Sequence, residues 1–166
     1  MTDRWGIPAS KPSNGSDVAF RSGVRSIFTY SQVQKHIRAG GSLLDLLDPR
    51  TYSIVVLYEW RRGFGHWVGL RLNPGRREAY FFSSYGAKPD EEKNRALSPA
   101  ARRASGQDLN VLNDFLKRLH LGGWTVYYND HPFQRIGDGT ATCGRWLSEY
   151  LRSGMNPDDY ARLFSQ

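Results

Sequence analysis

One cysteine and four histidines carry most of the nucleophile and base chemistry available to this chain. Cys143 stands in Gly139-Thr140-Ala141-Thr142-Cys143-Gly144-Arg145-Trp146, where small residues give way to Trp146, Leu147, Tyr150 and Leu151 at helical spacing. The pattern predicts that the thiol opens a helix. Peptide dipoles and free backbone N–H groups at such a position favour the thiolate, and the same N–H groups suit an oxyanion. A lone cysteine is more often a small buried hydrophobe, so a base must accompany it before it counts as a nucleophile.

His66, in Gly63-Phe64-Gly65-His66-Trp67-Val68-Gly69-Leu70, falls at the mouth of an expected strand after a glycine-flanked turn. A strand holds an imidazole rigidly, and cysteine chemistry at neutral pH needs one to take the thiol proton and return it to the leaving group. His36 and His120 fall on expected helices among polar residues and read as surface positions, and His131 lies in a loop. Gln134, nine residues before Cys143, carries an amide able to donate to an oxyanion.

The ordered set Gly65-His66-Trp67, Tyr80-Phe81-Phe82-Ser83-Ser84-Tyr85-Gly86, Gln134 and Thr142-Cys143-Gly144 resembles the adenovirus-type processing protease, adenain. That cysteine peptidase superfamily also includes the peptidases acting on SUMO-like modifiers. The likeness spans roughly residues 53 to 151. It implies His66 as base, Cys143 as nucleophile and Gln134 as oxyanion donor in a cysteine endopeptidase that cleaves viral or mobile-element precursor proteins through a thioester. It also makes DNA a candidate activator or track, and places such a protein in the host nucleus or cytoplasm or in the virion. The chain departs from the pattern at one place. Where the family sets an Asp or Glu seventeen residues after the His, this sequence has Ser83. Ser83 or Ser84 offers the imidazole only a neutral hydrogen bond; Asp130 of a neighbouring loop is an alternative that could substitute for the carboxylate, although no spacing argument requires it. The stretch 137–139 reads as an insertion between Gln134 and Cys143.

These residues need a scaffold. The run 30–38 suits a short helix closed by Gly40-Gly41, with a further turn over 43–47. Residues 53–60, 67–72 and 78–82 read as strands, the last two joined through Asn73-Pro74-Gly75, and 124–128 as another. Leu109, Leu112, Leu116 and Leu119 align on one face of a helix over 109–120. The polar stretch 88–107 reads as a loop or a surface helix. Helices over 143–152 and after the Asn156-Pro157 cap complete the list. Periodicity supplies these elements and their order. With the resemblance, they give an α+β domain: a central, mostly antiparallel sheet flanked by helices, in residues 23–166, behind a flexible arm in residues 1–22.

Composition bounds the rest. A chain of 166 residues with five Trp and nine Tyr can bury a substantial core. A single cysteine forms no internal disulfide, and no stretch has the apolar length of a membrane span, so a reducing, intracellular setting is expected, with no membrane partner. A monomer is the separate expectation for its assembly. The net charge of +7 suits a polyanion partner as well as simple solubility. Scattered histidines make no paired metal motif, and the phosphate-cradling and dinucleotide glycine loops are missing, so neither metal nor cofactor is expected. Trp60, Trp67 and Trp146 read as core or cleft-wall aromatics. Two rival functions remain: an isopeptidase removing a ubiquitin-like modifier, and a catalytically silent basic nucleic-acid-binding protein of the same fold.

Overall fold

A computed structural model describes residues 14–133 and 143–164. In chain order these form α1 (Gly15–Ser22), β1 (Ile27–Thr29), α2 (Tyr30–Arg38), a 3-10 turn (Leu43–Leu46), β2 (Ser53–Arg61), β3 (Phe64–Asn73) and β4 (Glu78–Phe82). There follow α3 (Glu91–Ala96), α4 (Pro99–Ala104), α5 (Val111–Leu121), β5 (Thr125–Tyr128), α6 (Cys143–Ser153) and α7 (Pro157–Arg162).

The strands make one sheet in the order β1-β2-β3-β4-β5. The pairs β2–β3 and β3–β4 are antiparallel hairpins, whereas β1–β2 and β4–β5 are parallel. The expected mostly antiparallel sheet is therefore corrected to a mixed one. The physical reason lies in the connections. Parallel neighbours need a crossover, and α2 supplies it between β1 and β2, as α3, α4 and α5 do between β4 and β5. The three-residue β1 is too short to show a pattern in the sequence.

Helices cover both faces, which is why residues 53–58 of β2 are buried without alternation. On one face Ile54, Val56, Val68, Leu70 and Phe81 pack against Tyr30 and Val33 of α2 and Leu112, Phe115 and Leu116 of α5. On the other, Val55, Leu57, Trp67, Tyr80 and Phe82 meet Val18 of α1, Leu147, Tyr150 and Leu151 of α6, and Tyr160 of α7. Helix α1 falls within the segment set aside as an arm. Asn14 caps it in a reciprocal capping box with Asp17, and Val18 is fully buried in the second core. The body of the domain thus includes residues from Asn14 onward, rather than beginning at residue 23.

Two glycines let the site-bearing elements approach. A Cβ on Gly65 would fall 1.6 Å from the Tyr58 carbonyl oxygen, so only glycine fits beside His66 at that point of the β2–β3 pairing. A Cβ on Gly69 would meet Leu147 Cδ1 at 2.4 Å, so α6 sits directly on β3 because Gly69 has no side chain.

Candidate active site

His66 belongs to β3 rather than to its mouth. It pairs in register with Tyr58 on β2, and β3 begins two residues earlier than His66, at Phe64. Strand alternation puts its side chain on the same face as Val68 and Leu70, and Glu92 of α3 reaches it there. The next residue, Trp67, points to the other face, which carries α6. The end of β3 is therefore where a group from each side of the sheet can meet.

Cys143 arrives from the α6 side. Its helix is anchored by Leu147, Tyr150 and Leu151, with Tyr150 stacked on Phe82 at a centroid distance of 4.4 Å and an interplanar angle of 4°. The backbone N–H groups of Trp67 and Gly144 hydrogen-bond to the Cys143 sulfur. A free Gly144 amide is what the first turn of a helix offers.

The imidazole is 1 % exposed and held from several directions. Its Nε2 lies 2.9 Å from Ser83 Oγ and 3.0 Å from Glu92 Oε2. Ser83 Oγ in turn donates to Glu92 Oε1. Tyr85 stacks on the ring at 4.5 Å, and its amide donates to Ser83 Oγ at 3.3 Å. Counting protons fixes the tautomer. The Ser83 hydroxyl proton goes to the carboxylate, so Nε2 must carry the proton shared toward Ser83 and Glu92, which leaves Nδ1 as the basic nitrogen. Among the described residues the buried Nδ1 has no hydrogen-bond partner, and the Cys143 thiol is the reactive group that acts on the ring from beside it.

Thiol and imidazole shift one another. Burial would pull the His66 pKa down, but the neighbouring Cys143, the contact with Glu92 and the attraction of both groups for the cation outweigh it and raise it to about 9. Burial would likewise push the Cys143 thiol up, yet the neighbouring His66 and its charge, with the Trp67 and Gly144 amides, hold it below its ordinary value. The arrangement favours a thiolate–imidazolium pair. Cys143 itself keeps 9 % of its surface exposed.

Glu92 joins the candidate site although sequence reasoning did not single it out. It comes from α3, in the stretch read as a loop or surface helix, whereas Glu92 and Lys93 are buried. Asp130, the substitute considered for the family carboxylate, is exposed, and the carboxylate on the imidazole is that of Glu92. Ser83 keeps the neutral contact expected of it. It is fixed by Asn129, whose Oδ1 accepts from the Ser83 amide at 3.1 Å and whose Nδ2 donates to the Ser83 carbonyl at 2.7 Å. Ser84 is buried, and its carbonyl accepts from the Phe133 amide at 2.7 Å, tying the loop after β5 to the end of β4. Gln134 and residues 137–139 lie outside the described residues.

The other candidates separate from the site. His36 pairs with Asp45 at 3.0 Å, His120 is exposed, and His131 packs edge-on against Phe133. Of the tryptophans, Trp67 is buried, and Trp146 lies against Phe133 and Phe164. Trp60, together with Tyr85 and Glu92, lines a cavity of about 340 Å³ beside the imidazole. Among the described residues no three His, Cys, Asp or Glu side chains gather as a metal site, and no helix is long and apolar enough to cross a membrane.

The chain is similar to a virophage protein. An uncharacterized protein, V9, of the Sputnik virophage is 33 % identical to it over 103 residues, which cover 61 % of this chain and 55 % of that protein. The chain thus spans about half the length of the curated relative it matches. No family model matches it.

Proposed function

We propose that this protein is a cysteine peptidase of the adenain-like type, with Cys143 as nucleophile, His66 as acid and base, and Glu92 as the carboxylate that orients and stabilises the imidazolium. The observation that carries this reading is the linkage from Cys143 through His66 to Glu92, with Ser83 bridging the last two. A carboxylate on Nε2 leaves Nδ1 as the nitrogen to serve the sulfur and stabilises the positive ring. The same observation weighs against a catalytically silent protein, whose best argument is the serine at position 83.

The chemistry follows from the tautomer. The Cys143 sulfur adds to the scissile carbonyl carbon, and the carbonyl electron pair moves to oxygen. The Gly144 amide is a candidate donor to that oxyanion, alongside the role the resemblance implies for Gln134. Collapse breaks the C–N bond, and the imidazolium Nδ1–H passes its proton to the leaving amine, giving a thioester. Neutral Nδ1 then takes a proton from water as that water attacks the thioester, and the thiolate leaves as the second product, a carboxylic acid, is freed.

Viral precursor proteins are the proposed substrates, supported by the likeness to a virophage protein and by the family resemblance. The test is to incubate the purified protein, beside Cys143→Ala, with precursor peptides of capsid type and with conjugates of ubiquitin-like modifiers. Cleavage of the peptides by the unaltered protein alone is expected. Cleavage of the conjugates alone would reassign it as an isopeptidase, and cleavage of neither would leave the silent reading. Adding DNA to the same reaction tests the polyanion partner that the +7 charge suits.

A further inference from the structure

Helix α3 has six residues, too few to hold its shape unaided, yet it must keep Glu92 within hydrogen-bond reach of His66. What fixes it is a buried polar cluster at its start. Asp90, 1 % exposed and in the left-handed region at φ 66°, precedes the first helical residue. Its amide donates to Tyr58 Oη at 2.9 Å, Tyr30 Oη lies 2.7 Å from its Oδ1, and the Asn113 amide donates to its Oδ2 at 2.8 Å. One residue therefore ties α3 to β2, α2 and α5. On the far side of Glu92, the fully buried Lys93 donates to the Gln107 carbonyl at 2.8 Å. Gln107 in turn clamps the backbone of Glu59 on β2 through both its amide nitrogen and its oxygen, each at 2.9 Å.

We infer that Tyr58 and Asp90 are positioning residues for catalysis, acting on His66 through Glu92. Tyr58 is the informative member. It is the register partner of His66, so one β2 residue aligns both the strand that carries the base and the helix that carries its carboxylate. A carboxylate at the end of β4 would need no such device, whereas one delivered by a short helix from the crossover does. This inference rests on the proposed roles of Cys143, His66 and Glu92.

The test is the pH dependence of Cys143 alkylation by iodoacetamide in the full-length protein, for the unaltered chain, Tyr58→Phe, Glu92→Gln and the double variant. Tyr58→Phe and Glu92→Gln should each move the midpoint upward, and the double variant should lie no higher than Glu92→Gln alone. A Tyr58→Phe midpoint equal to that of the unaltered protein, or a shift adding in full to that of Glu92→Gln, would overturn the inference while leaving the catalytic reading intact. If the unaltered Cys143 alkylates as an ordinary thiol, the catalytic reading fails first and the inference with it. Tyr30→Phe removes a second hydroxyl from Asp90 and must shift the midpoint in the same direction, which keeps the test decisive if Tyr58→Phe does not fold.

Discussion

Glu92 Oε2 lies 3.0 Å from His66 Nε2, although the two residues belong to a crossover helix and a strand and no spacing rule joins them. This contact supplies the negative charge that Ser83 cannot. Replacing Glu92 with Gln keeps the side-chain shape and removes the charge, so the imidazolium should lose about one pKa unit or more, equivalent to tenfold in the ion-pair population. Peptide cleavage rates measured at fixed pH should fall by at least that factor. An unchanged rate would show that the carboxylate is only structural.

Ser83→Ala should cost less. It removes a neutral hydrogen bond from Nε2 and a donor from Glu92 but leaves the carboxylate itself, so a loss of about three- to tenfold in kcat/KM is expected. Ser83→Asp, which follows the family pattern, sets a second carboxylate against Glu92 and should not give more activity than the serine does. Steady-state kinetics on the two variants check both statements.

Much of this site was readable from the sequence, and the missing part has a physical cause. His66 and Cys143 stand out because a glycine-bounded strand and a small-to-apolar transition are local patterns. Glu92 does not, because an acid in a first helical turn reads equally well as a partner of the helix dipole. Its burial is decided by residues distant along the chain, Tyr58 at the start of α3 and Gln107 beyond its end. The parallel edges of the sheet escaped for the same reason. β1 shows no period in three residues, and the direction of β5 is set by the crossover rather than by its own four residues.

The pH profile of kcat/KM should be bell-shaped. The acid limb follows formation of the Cys143 thiolate, held below the ordinary thiol range, and the basic limb follows loss of the His66 proton near pH 9. Glu92→Gln should draw the basic limb toward neutral pH. A basic limb that stays in place in that variant would separate Glu92 from the titration.

Stability should carry a separate pH signature from Asp90. Burial, opposed by hydrogen bonds from Asn113 and Tyr30, raises its pKa from 3.8 to about 6. The folded state therefore binds this proton more tightly than the unfolded chain. The stabilisation is complete below pH 3.8 and is lost as pH rises through about 6. Tyr30 Oη has one proton and two acceptors at 2.7 Å, Asp90 Oδ1 and the Leu109 carbonyl, and a protonated Asp90 satisfies both by donating to Oη. Denaturant melts of Asp90→Asn against the unaltered protein should show this component of the slope between pH 4 and 6 disappear.

Gly69→Ala should loosen the seat of α6. The added methyl meets Leu147, and shifting that packed side chain costs about 1–3 kcal/mol. Since Cys143 rides on the same helix, activity should fall along with the melting temperature, as calorimetry and a peptide assay on one preparation would show.

The central claim is that His66 ionises Cys143. Because the chain has a single cysteine, its thiolate can be titrated by ultraviolet absorbance, with Cys143→Ala subtracted as the blank. The unaltered protein should show thiolate at neutral pH, and His66→Ala should move the titration up to or beyond that of an ordinary buried thiol. Identical titration curves for the two proteins would contradict the account.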